Sequence, residues 1–157
     1  MEIKEAQLDE LEQEAISFWA ELGTELGFPR TVGEIYGVFF VSQTALSADD
    51  LALCLGISRS GSGQALKALQ DIGAIRRASG IQSRKEHFEI QTDLSILVRN
   101  FLNYRVLPKL SELNRQRLSL AEQANQSESP HLAQRFEKLE RWCQKTNPVM
   151  GLLKSLI

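Results

Sequence analysis

The chain has 157 residues, enough for one compact domain with helical elaboration and a substantial core. Its 43% hydrophobic and 24% charged content matches ordinary globular proteins and excludes wholesale disorder. No apolar run approaches the ~20 residues of a membrane span, and Met1-Glu2-Ile3-Lys4-Glu5 lacks the charged-then-apolar pattern of a signal peptide. Cys54 and Cys143 are too few and too far apart for a disulfide framework or a CxxC metal pair. A cytoplasmic location with no membrane association is expected. The net charge of −2 argues mildly against nucleic acid, but its distribution does not. Between Ile57 and Ile90 the cations Arg59, Lys67, Arg76, Arg77, Arg84 and Lys85 outnumber the anions Asp71, Glu86 and Glu89, a local +3 that leaves −5 for the flanks. A DNA reader needs only such a local footprint.

In chain order, residues 3 to about 26 read as an amphipathic helix, with Leu8, Leu11, Ala15, Phe18 and Leu22 on one stripe. Gly27-Phe28-Pro29 breaks it. Thr31, three residues before Glu34, predicts a capping-box start for a second helix through Ile35, Tyr36, Val38, Phe39 and Phe40. Ser47 and Asp50 repeat that spacing before a third helix, whose apolar face is Leu51, Ala52, Cys54 and Leu55. Gly56 ends it, and Ser58 caps a fourth helix from about Arg59 to Ile72 with Gly73 as its stop. Two helices joined by a short glycine-containing turn form a helix-turn-helix.

Two β-like runs follow, 74–77 and 86–90, separated by a polar tip from Ala78 to Lys85. A helix-turn-helix followed by a β-hairpin is the order of a winged helix. A long helix from Thr92 carries Leu94, Leu97, Phe101 and Tyr104, kinks near Pro108 and resumes to about Ala124. Asn125 to Glu128 reads as a linker. Ser129-Pro130 then opens a helix with Leu132, Phe136, Leu139 and Cys143 on its stripe. Asn147-Pro148 reads as one more start, before an apolar tail of Leu152, Leu153, Leu156 and Ile157.

The expected fold is mainly α with a small β-hairpin wing: a winged helix-turn-helix core at 27–92, an N-terminal dimerisation helix at 1–26 and a C-terminal helical dimerisation region at 93–157. In the fourth helix Ser58, Arg59, Ser60, Ser62, Gln64 and Lys67 supply short side chains and donors suited to the major groove. Gly61 and Gly63 each cost roughly 1 kcal/mol relative to Ala inside a helix, which close approach to DNA would offset. Arg84 and Lys85 at the tip are placed to enter a minor groove, although cations also protect strand edges. Arg76 and Arg77 reach phosphates or solvate the wing. The stripe of Leu8, Leu11, Phe18 and Leu22, with Leu132, Phe136 and Leu139, exceeds what a small winged helix covers and predicts a homodimer suited to a palindromic site; an intramolecular bundle is the alternative.

Enzyme chemistry finds no support. His87 and His131 have no Cys or carboxylate at metal spacing, and Ser60-Gly61-Ser62-Gly63 lacks the phosphate-loop pattern. No catalytic residue, metal ligand or cofactor is assigned. Trp19, Tyr36, Phe39, Phe40, Phe101, Tyr104 and Trp142 offer walls for a cationic ligand, but aromatics at helical spacing are more often core.

From Gly27 to Leu94 the sequence resembles the GbsR-type branch of the MarR-like winged-helix regulators. The resemblance rests on Gly27-Phe28-Pro29-Arg30-Thr31-Val32-Gly33-Glu34-Ile35-Tyr36-Gly37, Leu46 to Ala52, Ile57-Ser58-Arg59-Ser60 and Ser83-Arg84-Lys85. It implies a homodimer built by the terminal helices, binding double-stranded DNA at an operator near its own or neighbouring genes. Relatives often repress, and some respond to ligands such as choline or glycine betaine, so a small-molecule effector is left open. Many MarR-like wings carry an acidic residue before the arginine; Ser83 stands there instead. The function expected is a sequence-specific DNA-binding transcriptional regulator, a repressor in this reading. The alternative is a winged-helix protein-interaction module without specific DNA binding.

Overall fold

The computed structural model describes residues 8–155, with the backbone alone at 147, 149, 150 and 152–154 of the last helix. Residues 3–7 of the expected first helix, and the expected tail of Leu152, Leu153, Leu156 and Ile157, lie outside the described side chains. The described chain forms two compact units that divide between Leu97 and Val98.

In the first unit, α1 spans Glu10–Glu25 and α2 spans Arg30–Val41. The start of α1 is fixed by a reciprocal cap: the Asp9 carboxylate accepts from the Glu12 amide at 2.7 Å, and the Asp9 amide donates to Glu12 at 3.0 Å. The expected stripe of Leu11, Ala15 and Phe18 is not the face α1 buries; Ile16 and Ala20 are buried instead. Their partner is α2, whose glycines allow backbone-level contact. A Cβ on Gly33 would lie 2.4 Å from the Trp19 carbonyl oxygen, and one on Gly37 would lie 2.7 Å from the Ile16 Cα. Only residues without a side chain fit there. Most of α2 is core, with Val32, Ile35, Tyr36, Val38 and Phe39 all buried and Arg30 and Phe40 exposed.

The predicted start of α2 is corrected. Its N-cap is Pro29, no side chain caps it, and Thr31 lies inside the helix. Proline's fixed φ suits a helix entry and its missing N–H loses nothing there. Glu34, the expected reciprocal partner, pairs with Arg30 one turn earlier at 3.0 Å.

A two-residue strand, β1 (Leu46–Ser47), precedes α3 (Ala48–Leu55), and α4 follows at Arg59–Asp71. Ala65, Leu66, Leu69 and Ile72 form the buried stripe of α4, as their spacing predicts, and Leu51 of α3 is fully buried. Strands β2 (Ile75–Arg77) and β3 (His87–Ile90) form the hairpin. The sheet is antiparallel in the order β1-β3-β2, with Leu46 opposite Phe88 and Ile75 opposite Ile90. β1 has no signature of its own in the sequence. Two residues are too short for an alternating pattern, and pairing with β3 creates the strand.

The chain leaves this unit along α5 (Leu94–Phe101), and the second unit contains α6 (Leu107–Gln126) and α7 (Pro130–Ser155). The break expected near Pro108 is a π-helical turn, Leu102–Val106, in which the Leu107 amide donates to the Leu102 carbonyl, five residues back. Pro108 has no N–H to continue the ordinary ladder, and the wider turn absorbs the mismatch. The linker expected at Asn125 to Glu128 is shorter, because α6 continues to Gln126. The Ser127 hydroxyl then donates to the Ala124 carbonyl at 2.8 Å and helps close the helix end. Asn147-Pro148 starts no new helix; α7 runs through Pro148. Just before it, the Thr146 hydroxyl bonds the Cys143 carbonyl at 3.0 Å. An Arg117–Glu140 ion pair ties α6 to α7.

Replacing Gly33 with Ala is expected to lower unfolding stability by about 1–3 kcal/mol, the usual range for overpacking, because the clash is with backbone. Gly63→Ala, with nothing within 4 Å of the added Cβ, should instead gain about 1 kcal/mol of helix propensity. Urea midpoints at one fixed protein concentration check the pair, and a Gly33→Ala protein at least as stable as wild type would contradict the close α1–α2 contact.

Candidate nucleic-acid interface

The bihelical unit is organised at the start of α3. Ser47 and Asp50 cap each other as their spacing predicts: the Ser47 amide donates to Asp50 at 2.8 Å and the Asp50 amide donates to the Ser47 hydroxyl at 3.3 Å. Gly56 closes α3 in the left-handed conformation, with φ 63°. Ser58 then accepts from the Gly61 amide at 3.0 Å and starts α4.

Ser62 departs from expectation. It does not join the outward residues but is fully buried, its hydroxyl shared between the carbonyls of Ala48 at 3.0 Å and Arg59 at 2.9 Å. The bond to Ala48 pins the first turn of α4 against the start of α3. Position 62 lies three residues before Ala65 and four before Leu66, so helical spacing places it on the buried stripe, and only its polar side chain suggests the outer face.

Ser58, Arg59, Ser60, Gln64 and Lys67 are all exposed. Ser60, Gln64 and Lys67 follow one another at spacings of four and three, so they line a single face. Gly63 lies between them with open space around it, so no contact within the chain requires a glycine there.

In the wing, the Ala78 amide donates to the His87 carbonyl at 2.9 Å, and Gly80 turns the tip with φ 79°. Ser83, the residue before Arg84, accepts from the Lys85 amide at 3.1 Å. It therefore shapes the turn rather than orienting Arg84. Arg84 and Lys85 are exposed, as are Arg76 and Arg77. Arg76 is directly opposite Glu89, and Arg77 is opposite Phe88. Adjacent strand residues point to opposite faces, so the two arginines cannot engage the same surface.

Most of these cations already have a carboxylate. Arg76 pairs with Glu89 and Arg77 with Glu86, both at 2.8 Å. Arg59 Nε lies 3.0 Å from Asp49 Oδ1, and Lys85 Nζ lies 2.6 Å from Asp49 Oδ2. Arg84 and Lys67 have no ion-pair partner among the described residues. Asp49 thus joins the first turn of α4 to the wing tip and brings two predicted site residues side by side. The sequence reading missed it, because Asp49 lies outside the basic segment and its position in the first turn of α3 already explains an acid there. The hydrogen bond from Lys85, with the Arg59 charge beside it, holds the Asp49 carboxyl below the ordinary aspartate range.

Elsewhere in this unit Trp19 packs edge-on against Tyr36 at 4.7 Å and Phe18 at 5.3 Å, with Phe40 tilted at 5.3 Å. Rings in mutual contact of this kind pack as a cluster. Phe101, Tyr104 and Trp142 belong to the second unit. Burial pushes the Cys54 thiol up, which disfavours the reactive thiolate. Among the described residues no helix is long and apolar enough to cross a membrane.

No protein-family model matches the sequence, and no curated protein matches it either. Solved structures do. The crystal structure of a transcriptional regulator aligns with a TM-score of 0.60 at 18% identity, covering 92% of this chain and 98% of its own. A variant of S. aureus MepR bound to an oligodeoxyribonucleotide gives 0.43 at 20% identity, covering 82% and 92%. The S. aureus MepR–DNA complex gives 0.39 at 17%, covering 83% and 90%. The fold is a winged helix-turn-helix, shared with the transcriptional regulator that aligns at a TM-score of 0.60.

Asp49 should titrate below the ~3.9 of a free aspartate. Because its native pKa is lowered, the pairing stabilises the fold above the unfolded-state value and is lost as pH falls through the native one. Carboxyl NMR checks this, with Lys85→Met expected to move the midpoint upward. A midpoint insensitive to Lys85 would contradict the pairing.

Proposed function

We propose that this protein is a sequence-specific DNA-binding transcriptional regulator of the GbsR-type MarR-like branch, acting as a homodimeric repressor on a palindromic operator in the cytoplasm. The observation that carries this reading is the adjacency of Arg59 and Lys85 on either side of one carboxylate. It supports a single surface shared by the helix and the wing tip, which a duplex would meet with both elements at once.

In this reading Ser58, Arg59, Ser60, Gln64 and Lys67 contact the major groove or fix α4 on phosphates. Arg84 and Lys85 serve the wing, and Arg76 or Arg77 reaches a flanking phosphate. The homodimer would bury Leu8, which precedes α1, and Leu11, Phe18 and Leu22 of α1, together with Leu132, Phe136 and Leu139 of α7. Leu11 is 74% exposed and Phe18 58%, and each would gain about 1.5–3 kcal/mol from full burial. A small-molecule effector belongs to this reading without assigned residues. A protein-docking module is the second reading, favoured by the carboxylates that already pair Arg59, Arg76, Arg77 and Lys85.

Selection of bound duplexes from a random DNA pool at near-physiological salt decides between the two. An enriched inverted repeat is expected, and its half-site spacing would report the dimer. Arg84→Ala should weaken binding to that repeat and flatten the salt dependence by about 0.9 in log–log slope, the effect of losing one phosphate contact. No enrichment by folded protein would favour the docking module, and an unchanged slope would remove Arg84 from the interface.

A further inference from the structure

Asp49 has a geometry that capping does not explain. Capping at the start of α3 is done by its neighbour: Asp50 receives both the Ser47 amide at 2.8 Å and the Ser47 hydroxyl at 2.6 Å. The two oxygens of Asp49 are thereby left to face outward, one to Arg59 of α4 and the other to Lys85 of the wing. The Ser62–Ala48 bond holds the α4 turn against α3, so Arg59 is anchored close to this carboxylate. Asp49 cannot leave with its partners, because it is part of the α3 backbone in a first turn where the helix dipole favours its charge.

A duplex reaching Arg59 and Lys85 therefore meets a fixed negative charge between them. A phosphate must compete with that carboxylate for both cations and approach it closely. Exposed ion pairs of this kind are weak, about 0–1 kcal/mol, so the competition can be overcome. It is overcome most readily when base contacts from Ser60, Gln64 and their neighbours add to the phosphate contacts. Non-cognate DNA offers phosphates alone, and electrostatic contacts supply essentially all of such binding.

We infer that Asp49 is a specificity-determining residue: it withholds Arg59 and Lys85 from the phosphates of non-cognate DNA and releases them only when base recognition contributes. The inference rests on the DNA-binding reading above and names a control on that same surface.

The test measures affinity over a salt series for the repeat enriched by selection and for a scrambled duplex of equal length. It compares wild type with Asp49→Asn, which keeps side-chain size and leaves the Ser47–Asp50 cap in place. D49N should bind the scrambled duplex more tightly, with a salt slope steeper by about 0.9 for each cation released to a phosphate. Its affinity for the repeat should rise less, so the ratio between the two duplexes falls. Glu86→Gln removes one unit of negative charge from the wing but releases only Arg77, and should give about half the slope change. Asp49→Glu, which retains the charge, should restore the wild-type ratio.

Unchanged scrambled-duplex affinity in D49N, loss of affinity for both duplexes, or identical effects of D49N and E86Q would each overturn the inference while leaving the DNA-binding reading intact. A wild-type protein that enriches no sequence and binds DNA without salt dependence would overturn both.

Discussion

The crossing of α1 on α2 sets the rest of the first unit. Two helices reach backbone contact only where side chains are missing, and Gly33 and Gly37, one turn apart, provide that on α2. Because the contact uses almost no side-chain volume on the α2 surface, the remaining faces of α2 are free to hold Ile35, Val38 and Phe39 in the core. The core in turn receives Leu51 of α3, Leu66 and Leu69 of α4, and Phe88 of the central strand. With α4 held from behind by this packing and from its first turn by Ser62, its polar face is left toward solvent. The close contact has a second consequence for α1. Ile16, Trp19 and Ala20 form the face that meets α2, and Leu11 and Phe18 lie off that face and remain outside.

On that surface most of the cations of α4 and the wing stand beside acids of the same fold, in a chain of net negative charge. Cations around α4 and the wing are matched locally, Arg76 by Glu89 across the hairpin, Arg77 by Glu86, and Arg59 with Lys85 by Asp49. At such exposed positions the pairs add little to stability. Their larger effect is on the field outside the protein, because paired opposite charges cancel at distances beyond a few ångströms and salt screens what remains. Such a surface presents a weak field at a distance, and its individual charges are felt only at contact.

Much of the fold was legible because its signals are local. Ser47 with Asp50, Gly56, Ser58 and Gly73 each act on backbone groups within a few residues, and each is found in its predicted role. The buried stripe Ala65, Leu66, Leu69 and Ile72 follows from helical period alone. The readings that failed were those where a local signal had a rival partner. Glu34 could serve Thr31 or Arg30, and pairs with Arg30. Pro148 resembles Pro130 as a first-turn proline, yet only Pro130 follows a break in the helix. Polarity groups Ser62 with the outward residues, although its spacing from Ala65, Leu66 and Leu69 puts it on the buried stripe, where its acceptor at Ala48 is fourteen residues away.

Asp49 shows the limit most clearly for the candidate site. Counting charges along Ile57–Ile90 gives a basic segment, and that count assumes that neighbours in sequence are neighbours in space. The helix-turn-helix violates the assumption by design, because its turn folds the first turn of α3 back beside the first turn of α4. An acid eight residues before the segment thereby enters the cluster, while Asp71, counted within it, lies at the far end of α4. The local +3 of the sequence is therefore a property of the segment and not of the surface. What a duplex would meet near the wing is two cations around one fixed carboxylate, with Arg84 beside them on the wing tip and Lys67 further along α4, neither bound to a described acid. The distinction matters because charge along a chain governs how the unfolded polymer behaves, whereas charge across a folded surface governs which partner it admits.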